Sequence, residues 1–136
     1  MNKKNTLLLF LCLFCLWAVA QEKKPVKIAC VGNSITYGSG IKNQFQNSYP
    51  GLLSQLLGEG YDVRNFGISA RVMLNKGDHP YMHEQKFRDL LAFQPDIVTI
   101  KLGTNDSKPW NWHYGKDFGK DLTEMVGYSS GLAFQA

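Results

Sequence analysis

The run Val26-Lys27-Ile28-Ala29-Cys30-Val31 constrains this chain more than any other feature, because it is apolar at almost every position and stops abruptly at Gly32-Asn33-Ser34. A strand with one wet face alternates apolar and polar residues. A near-continuous apolar run suits a strand covered on both faces, as in a parallel sheet. Asp96 to Leu102 has the same character and stops at Gly103-Thr104-Asn105-Asp106. Between them, Tyr61 to Phe66 alternates like a strand and stops at Gly67.

Helical patterns fill the gaps. Leu52, Leu53, Leu56 and Leu57 recur at helical spacing after Ser48, a candidate cap, with Pro50 in the first turn and Gly58 placed to end the element. His83 to Phe93 reads as a helix with Phe87, Leu90 and Leu91 inward, stopped before Pro95, and Asp117 to Val126 begins another. The order strand, helix, strand, helix, strand, helix predicts α/β architecture with right-handed crossovers.

In such sheets ligands bind beyond the carboxyl ends of the strands. Those ends here carry Gly32-Asn33-Ser34, Gly67-Ile68-Ser69 and Gly103-Thr104-Asn105-Asp106, so three polar clusters fall on one rim. A serine hydroxyl is a weak nucleophile and needs a base, normally a histidine held by a carboxylate. The oxyanion formed on attack needs donors aimed at it, each worth roughly 2.7–4 kcal/mol when lost. Ser34 supplies a hydroxyl and its own amide, Gly67 an amide unshielded by any side chain, and Asn105 a side-chain NH₂. Asp106 reads as a residue that fixes its turn by accepting from backbone amides, and Asn33 as a support behind the serine.

These blocks together resemble those of the SGNH, or GDSL-type, hydrolases. The family's Gly-Asp-Ser stands here as Gly32-Asn33-Ser34, its glycine block as Asn65-Phe66-Gly67, and its Gly-x-Asn-Asp as Gly103-Thr104-Asn105-Asp106. Closer still, Arg64-Asn65-Phe66-Gly67, Leu74-Asn75-Lys76-Gly77 and Gly103 to Asp106 are similar to blocks of secreted bacterial carbohydrate esterases often labelled sialate O-acetylesterases. The resemblance spans about Val26 to Met125. It implies a flavodoxin-like, three-layer α/β/α fold and ester hydrolysis without a metal or other cofactor, on an acylated carbohydrate. By the same resemblance Ser34 is catalytic and Ser34, Gly67 and Asn105 form the oxyanion hole. The family's Asp-x-x-His block, source of the base and its carboxylate, has no counterpart before Ala136. A partial hydrolase domain, 26–126, followed by an atypical tail, 127–136, is therefore expected, with weak or no activity.

At the other end, Lys3 and Lys4 precede the apolar run Leu7 to Trp17 and the small-residue site Ala18-Val19-Ala20. This is a signal-peptide pattern over residues 1–20, followed by a polar leader, 21–25, and it predicts a secreted or periplasmic protein with no stable membrane anchor after cleavage. The apolar run is shorter than the roughly 20 residues a membrane span needs. Bulky Phe14 before Cys15 argues against lipidation. Loss of Lys3 and Lys4 takes Lys+Arg from 15 to 13 against 11 Asp+Glu, so the formal net charge falls from +4 to +2, no nucleic-acid signature. Cys30 alone remains after cleavage, which excludes an intramolecular disulfide.

Other readings compete for the same residues. Gly127-Tyr128-Ser129-Ser130-Gly131 fits Gly-x-Ser-x-Gly formally, but lacks the strand before and helix after that an elbow requires. Of the histidines, His113 lies on the rim side of Asn105, whereas His79 and His83 flank a loop-to-helix boundary. Trp110, Trp112 and Tyr114 suit either sugar stacking or packing over the sheet. The Gly32 to Gly40 loop lacks the Gly-Lys-Ser/Thr of a phosphate loop. A non-catalytic carbohydrate-binding or vestigial protein is the rival reading, and the oligomeric state stays open.

Overall fold

The computed structural model describes residues 23–129. The expected signal peptide and the tail from residue 130 onward lie outside the described residues. Three strands, β1 (Val26–Gly32), β2 (Tyr61–Gly67) and β3 (Ile97–Lys101), form a parallel sheet of order β2-β1-β3. The strand carrying the serine is thus central, and the predicted α/β class is what is observed. Register brings Gly32 level with Gly67 on one side and with Lys101 on the other, so the strands end together. The start of β3 is pinned reciprocally: Lys27 N donates to Asp96 Oδ2 at 2.8 Å, and Asp96 N donates to Lys27 O at 2.9 Å.

The helices are α1 (Ser34–Tyr37), α2 (Gln44–Asn47), α3 (Tyr49–Leu57), α4 (Gln85–Phe93), α5 (Pro109–Trp112) and α6 (Phe118–Ser129), with 3₁₀ turns at Tyr81–His83 and Gly115–Asp117. Alternation along β1 separates two faces. Ala29 and Val31 join Phe66, Tyr81, Phe87, Leu90, Phe93 and Met125 in the main core, with Val98 and Ile100 packed against it. Cys30 and Thr99 lie on the opposite face, where Tyr49 of α3 bonds Thr99 Oγ1 at 3.2 Å. Burial there pushes the Cys30 thiol pKa up.

Four sequence expectations change. Ser48 does sit at the N-cap of α3, but its side chain makes no capping bond and is buried instead. The leucine stripe of α3 is largely uncovered, with Leu56 84% exposed, because α3 meets the sheet mainly through buried Pro50. The helix expected from His83 starts at Gln85 after a 3₁₀ turn, with Phe87 and Leu90 buried and Leu91 packed against the core as expected, and Phe93 joining the buried face. Finally, α6 extends three residues past Val126, through Ser129, whose Oγ donates to Met125 O.

Candidate active site

Gly32 and Asn33 explain why Ser34 stands where it does. A methyl group at Gly32 would sit 2.1 Å from Thr36 Oγ1 and 2.7 Å from Lys101 O, so only glycine lets α1 fold back over the strand ends. Asn33 is buried and caps α1, its Oδ1 accepting from Ile35 N at 3.1 Å. The helix is closed by Gly38 in the left-handed region, φ 86°, the conformation a glycine adopts without cost. Half-buried Ser34 uses only its carbonyl, which accepts from Gly38 N and Ser39 N. Its hydroxyl and its amide have no hydrogen-bond partner among the described residues.

The end of β2 is held from three sides. Asn65 Nδ2 donates to Thr36 O at 2.9 Å, and its Oδ1 accepts from Gly67 N at 2.8 Å. Tyr81, fully buried, donates its hydroxyl to Phe66 O at 2.6 Å, and burial raises its pKa. Lys86 Nζ donates to Gly67 O at 3.2 Å. A methyl group at Gly67 would lie 2.3 Å from Tyr37 N, so this glycine serves close approach of strand and helix. The expected oxyanion donor Gly67 is therefore engaged by Asn65, and an oxyanion must share its N–H.

Beyond β3, Asn105 Nδ2 donates one hydrogen to Arg71 O at 3.1 Å, which leaves the other hydrogen of that NH₂ without a partner. Arg71 is itself fixed, paired with Glu84 at 2.8 Å and donating to Ser69 O at 3.1 Å. Asp106 does accept backbone amides, as expected, but not those of its own turn. Its buried carboxylate takes Leu74 N at 2.8 Å and Met73 N at 3.0 Å, and so ties the loop after β3 to the loop after β2.

Buried Asn111 extends this tie. Its Nδ2 donates to Asn105 O and to Asp78 Oδ1, both at 3.0 Å, while its Oδ1 accepts from Asp78 N at 2.9 Å. Trp110 Nε1 donates to Asp78 Oδ2 at 3.2 Å, which fixes the indole by its edge while the residue stays 60% exposed. Burial pushes the Asp78 pKa up, but the bonds from Asn111 and Trp110 outweigh it and the net shift is downward. Trp112 packs its ring against Phe118, centroids 6.2 Å apart, and remains half exposed.

Ser34, Gly67 and Asn105 thus sit at the ends of three adjacent parallel strands. The histidines do not join them: among the described residues none is bonded to Ser34, and the His113 ring lies against Tyr114, centroids 5.1 Å apart. Asn65, Tyr81, Arg71 and Asn111 hold the rim without having been assigned a role from sequence. Asn65 had a legible signal, since an Asx side chain readily bonds the amide two residues on. Tyr81, Arg71 and Asn111 had none, because their partners are distant in the chain.

Ser34 stands on the turn after the central parallel strand with its hydroxyl and amide unbonded among the described residues, and Asn105 stands in the loop after the neighbouring strand. The chain belongs to the GDSL-like lipase/acylhydrolase family, whose model matches residues 30–129. It is similar to an acetylxylan esterase of Xylanibacter ruminicola, 56% identical over 107 residues, which is 79% of this chain and 22% of that protein. The chain therefore spans about a fifth of the length of the curated relative it matches. No solved structure matches it.

Proposed function

We propose that this chain carries the nucleophile and oxyanion donors of an exported serine esterase that removes O-acetyl groups from a carbohydrate, with acetylated xylan the preferred substrate. The observation that carries the reading is the unpartnered Ser34 hydroxyl and amide on a rim shared with Asn105. Ser34 Oγ attacks the acetyl carbonyl, and the oxyanion accepts from Ser34 N–H, the second hydrogen of Asn105 Nδ2, and Gly67 N–H shared with Asn65. The name of the Xylanibacter relative favours xylan. Residues Arg64 to Gly67 and Leu74 to Gly77 favour the sialate alternative. Trp110, held at its edge by Asp78 and 60% exposed, carries Lys108 Nζ 5.6 Å from its ring centroid and supplies a stacking surface for a sugar ring, and Trp112 flanks it.

Among the described residues no base is bonded to Ser34, so the rate expected from these residues is that of binding and oxyanion donors alone. Residual catalysis from binding and oxyanion donors alone reaches about 10³–10⁴ over water in triad enzymes. Acetate release from acetylated xylan and from O-acetylated sialic acid is the test. Ser34→Ala should abolish release above background, and Asn105→Ala should lower kcat by roughly 10²–10³-fold. Equal rates in wild type and Ser34→Ala would leave the rival reading, a carbohydrate-binding protein without catalysis. Chelators should have no effect on the rate.

A further inference from the structure

A second polar and aromatic surface lies away from the Trp110 side of the rim, along the outer edge of β2. Two clefts meet there, of about 620 and about 390 Å³, which share Val63 and Asn65 as floor and Phe45 as the ridge between them. Phe45 of α2 is 91% exposed, with no aromatic or apolar partner of its own. A phenyl ring held up between two clefts has both faces free.

Amide and hydroxyl side chains surround this ring. Gln44 donates to Tyr37 O, Asn47 Nδ2 to Lys42 O at 2.7 Å, and Gln55 Nε2 to Gln46 O at 2.8 Å. Each amide is thus fixed by one N–H, and its carbonyl oxygen has no partner. The side chains of Gln46 and Ser54, which line the smaller cleft, make no hydrogen bond at all. Such a set accepts and donates without net charge. Arg64 in the larger cleft is matched by Asp62 at 2.8 Å, and Lys86 is committed to Gly67 O.

The larger cleft ends against the helix that carries Ser34. Tyr37 lines it and is the last residue of the helix that begins at Ser34, about 4.5 Å along the helix axis. Lys86, at its wall, holds the carbonyl of Gly67. We propose that the two clefts together bind the backbone of a neutral polymeric glycan, with pyranose rings stacked on the Phe45 ridge and hydroxyls bonded by Gln44 in the larger cleft and by Gln46, Asn47 and Gln55 in the smaller. Flat C–H faces of a pyranose match an aromatic face, and fixed amides match hydroxyls, which are both donors and acceptors. Prior fixing of three amides lowers the ordering cost of binding. The proposal rests on the carbohydrate-ester reading for the choice of a xylan backbone and for the direction in which the glycan runs, from the clefts over Tyr37 toward Ser34.

The test is isothermal titration of the full chain with linear β-1,4-xylohexaose, using variants that retain the wild-type circular dichroism spectrum. Phe45→Ala should weaken binding about tenfold, and Gln46→Ala about threefold, for loss of stacking and of one hydrogen bond. Leu56→Ala, an exposed apolar site outside both clefts, should leave binding unchanged. Absence of xylohexaose binding, undiminished binding by Phe45→Ala, or preference for hexagalacturonate would each overturn the proposal. Failure of acetate release with xylohexaose binding intact would instead sink only the esterase reading.

Discussion

Asn65 joins Gly67 to the nucleophile helix: its Oδ1 accepts from Gly67 N at 2.8 Å while its Nδ2 donates to Thr36 O at 2.9 Å. The last carbonyls of a helix have no intrahelical donors, so the Thr36 oxygen needs an outside partner. One side chain therefore sets the spacing between the helix that begins at Ser34 and Gly67, its proposed oxyanion partner.

Replacing Asn65 by Ala leaves Thr36 O and Gly67 N without partners, and the expected loss is about 1–3 kcal/mol of stability, read by urea denaturation. Asn65→Asp, which keeps the acceptor for Gly67 N but not the donor to Thr36 O, should fall between the two. A wild-type midpoint for Asn65→Ala would show that water satisfies both groups.

Asp106 is expected to matter more for stability than for chemistry. Its two oxygens hold the buried amides of Met73 and Leu74, so Asp106→Ala should cost about 2–5 kcal/mol. Asp106→Asn keeps one acceptor and should cost roughly half. Unchanged denaturation midpoints in both would remove Asp106 from its assigned role as the tie between two loops.

The Cys30 thiol is fully buried, and burial raises its pKa above the ordinary 9.0. The folded state therefore keeps the proton longer than the unfolded chain, which contributes stability present below pH 9.0 and lost as pH rises through the raised value. At neutral pH a thiol reagent should label Cys30 only in denaturant. Rapid labelling of the native chain would contradict its burial.

Asp78 has the opposite sign. Its folded pKa lies below the ordinary 3.8, so its contribution is present above 3.8 and fades as pH falls through the depressed value. Because Trp110 Nε1 is bonded to this carboxylate, tryptophan fluorescence should change as pH falls below 3.8. The step should be absent in Asp78→Asn.

β3 pairs only with β1 among the described residues, and Ile97 is 47% exposed on it. An open edge with unpaired backbone groups is a template for another chain. Residues 21–136 alone should self-associate with rising concentration in sedimentation experiments, and Ile97→Lys should reduce this. A monomer at all concentrations would refute it.

Strand ends, helix stops and the covered strand β1 were legible from residues near in sequence, because glycine, proline and apolar periodicity act on local backbone and burial. That is why Gly32, Gly58 and Gly67 marked real boundaries and why α/β architecture could be read directly. By contrast β3, expected to be covered alike, is exposed at alternate positions. Burial of Phe93, exposure of the α3 leucines and the central position of β1 were decided by tertiary packing, since periodicity names a face but not what covers it. The same holds at the rim. Ser34, Gly67 and Asn105 are marked by glycine-bounded turns, but Asp106 finds its amides 32 and 33 residues away and Asn65 reaches Thr36 across 29. Hydrogen bonds over such separations exist only once the sheet has paired, because no local propensity encodes which distant backbone group a buried polar side chain must satisfy.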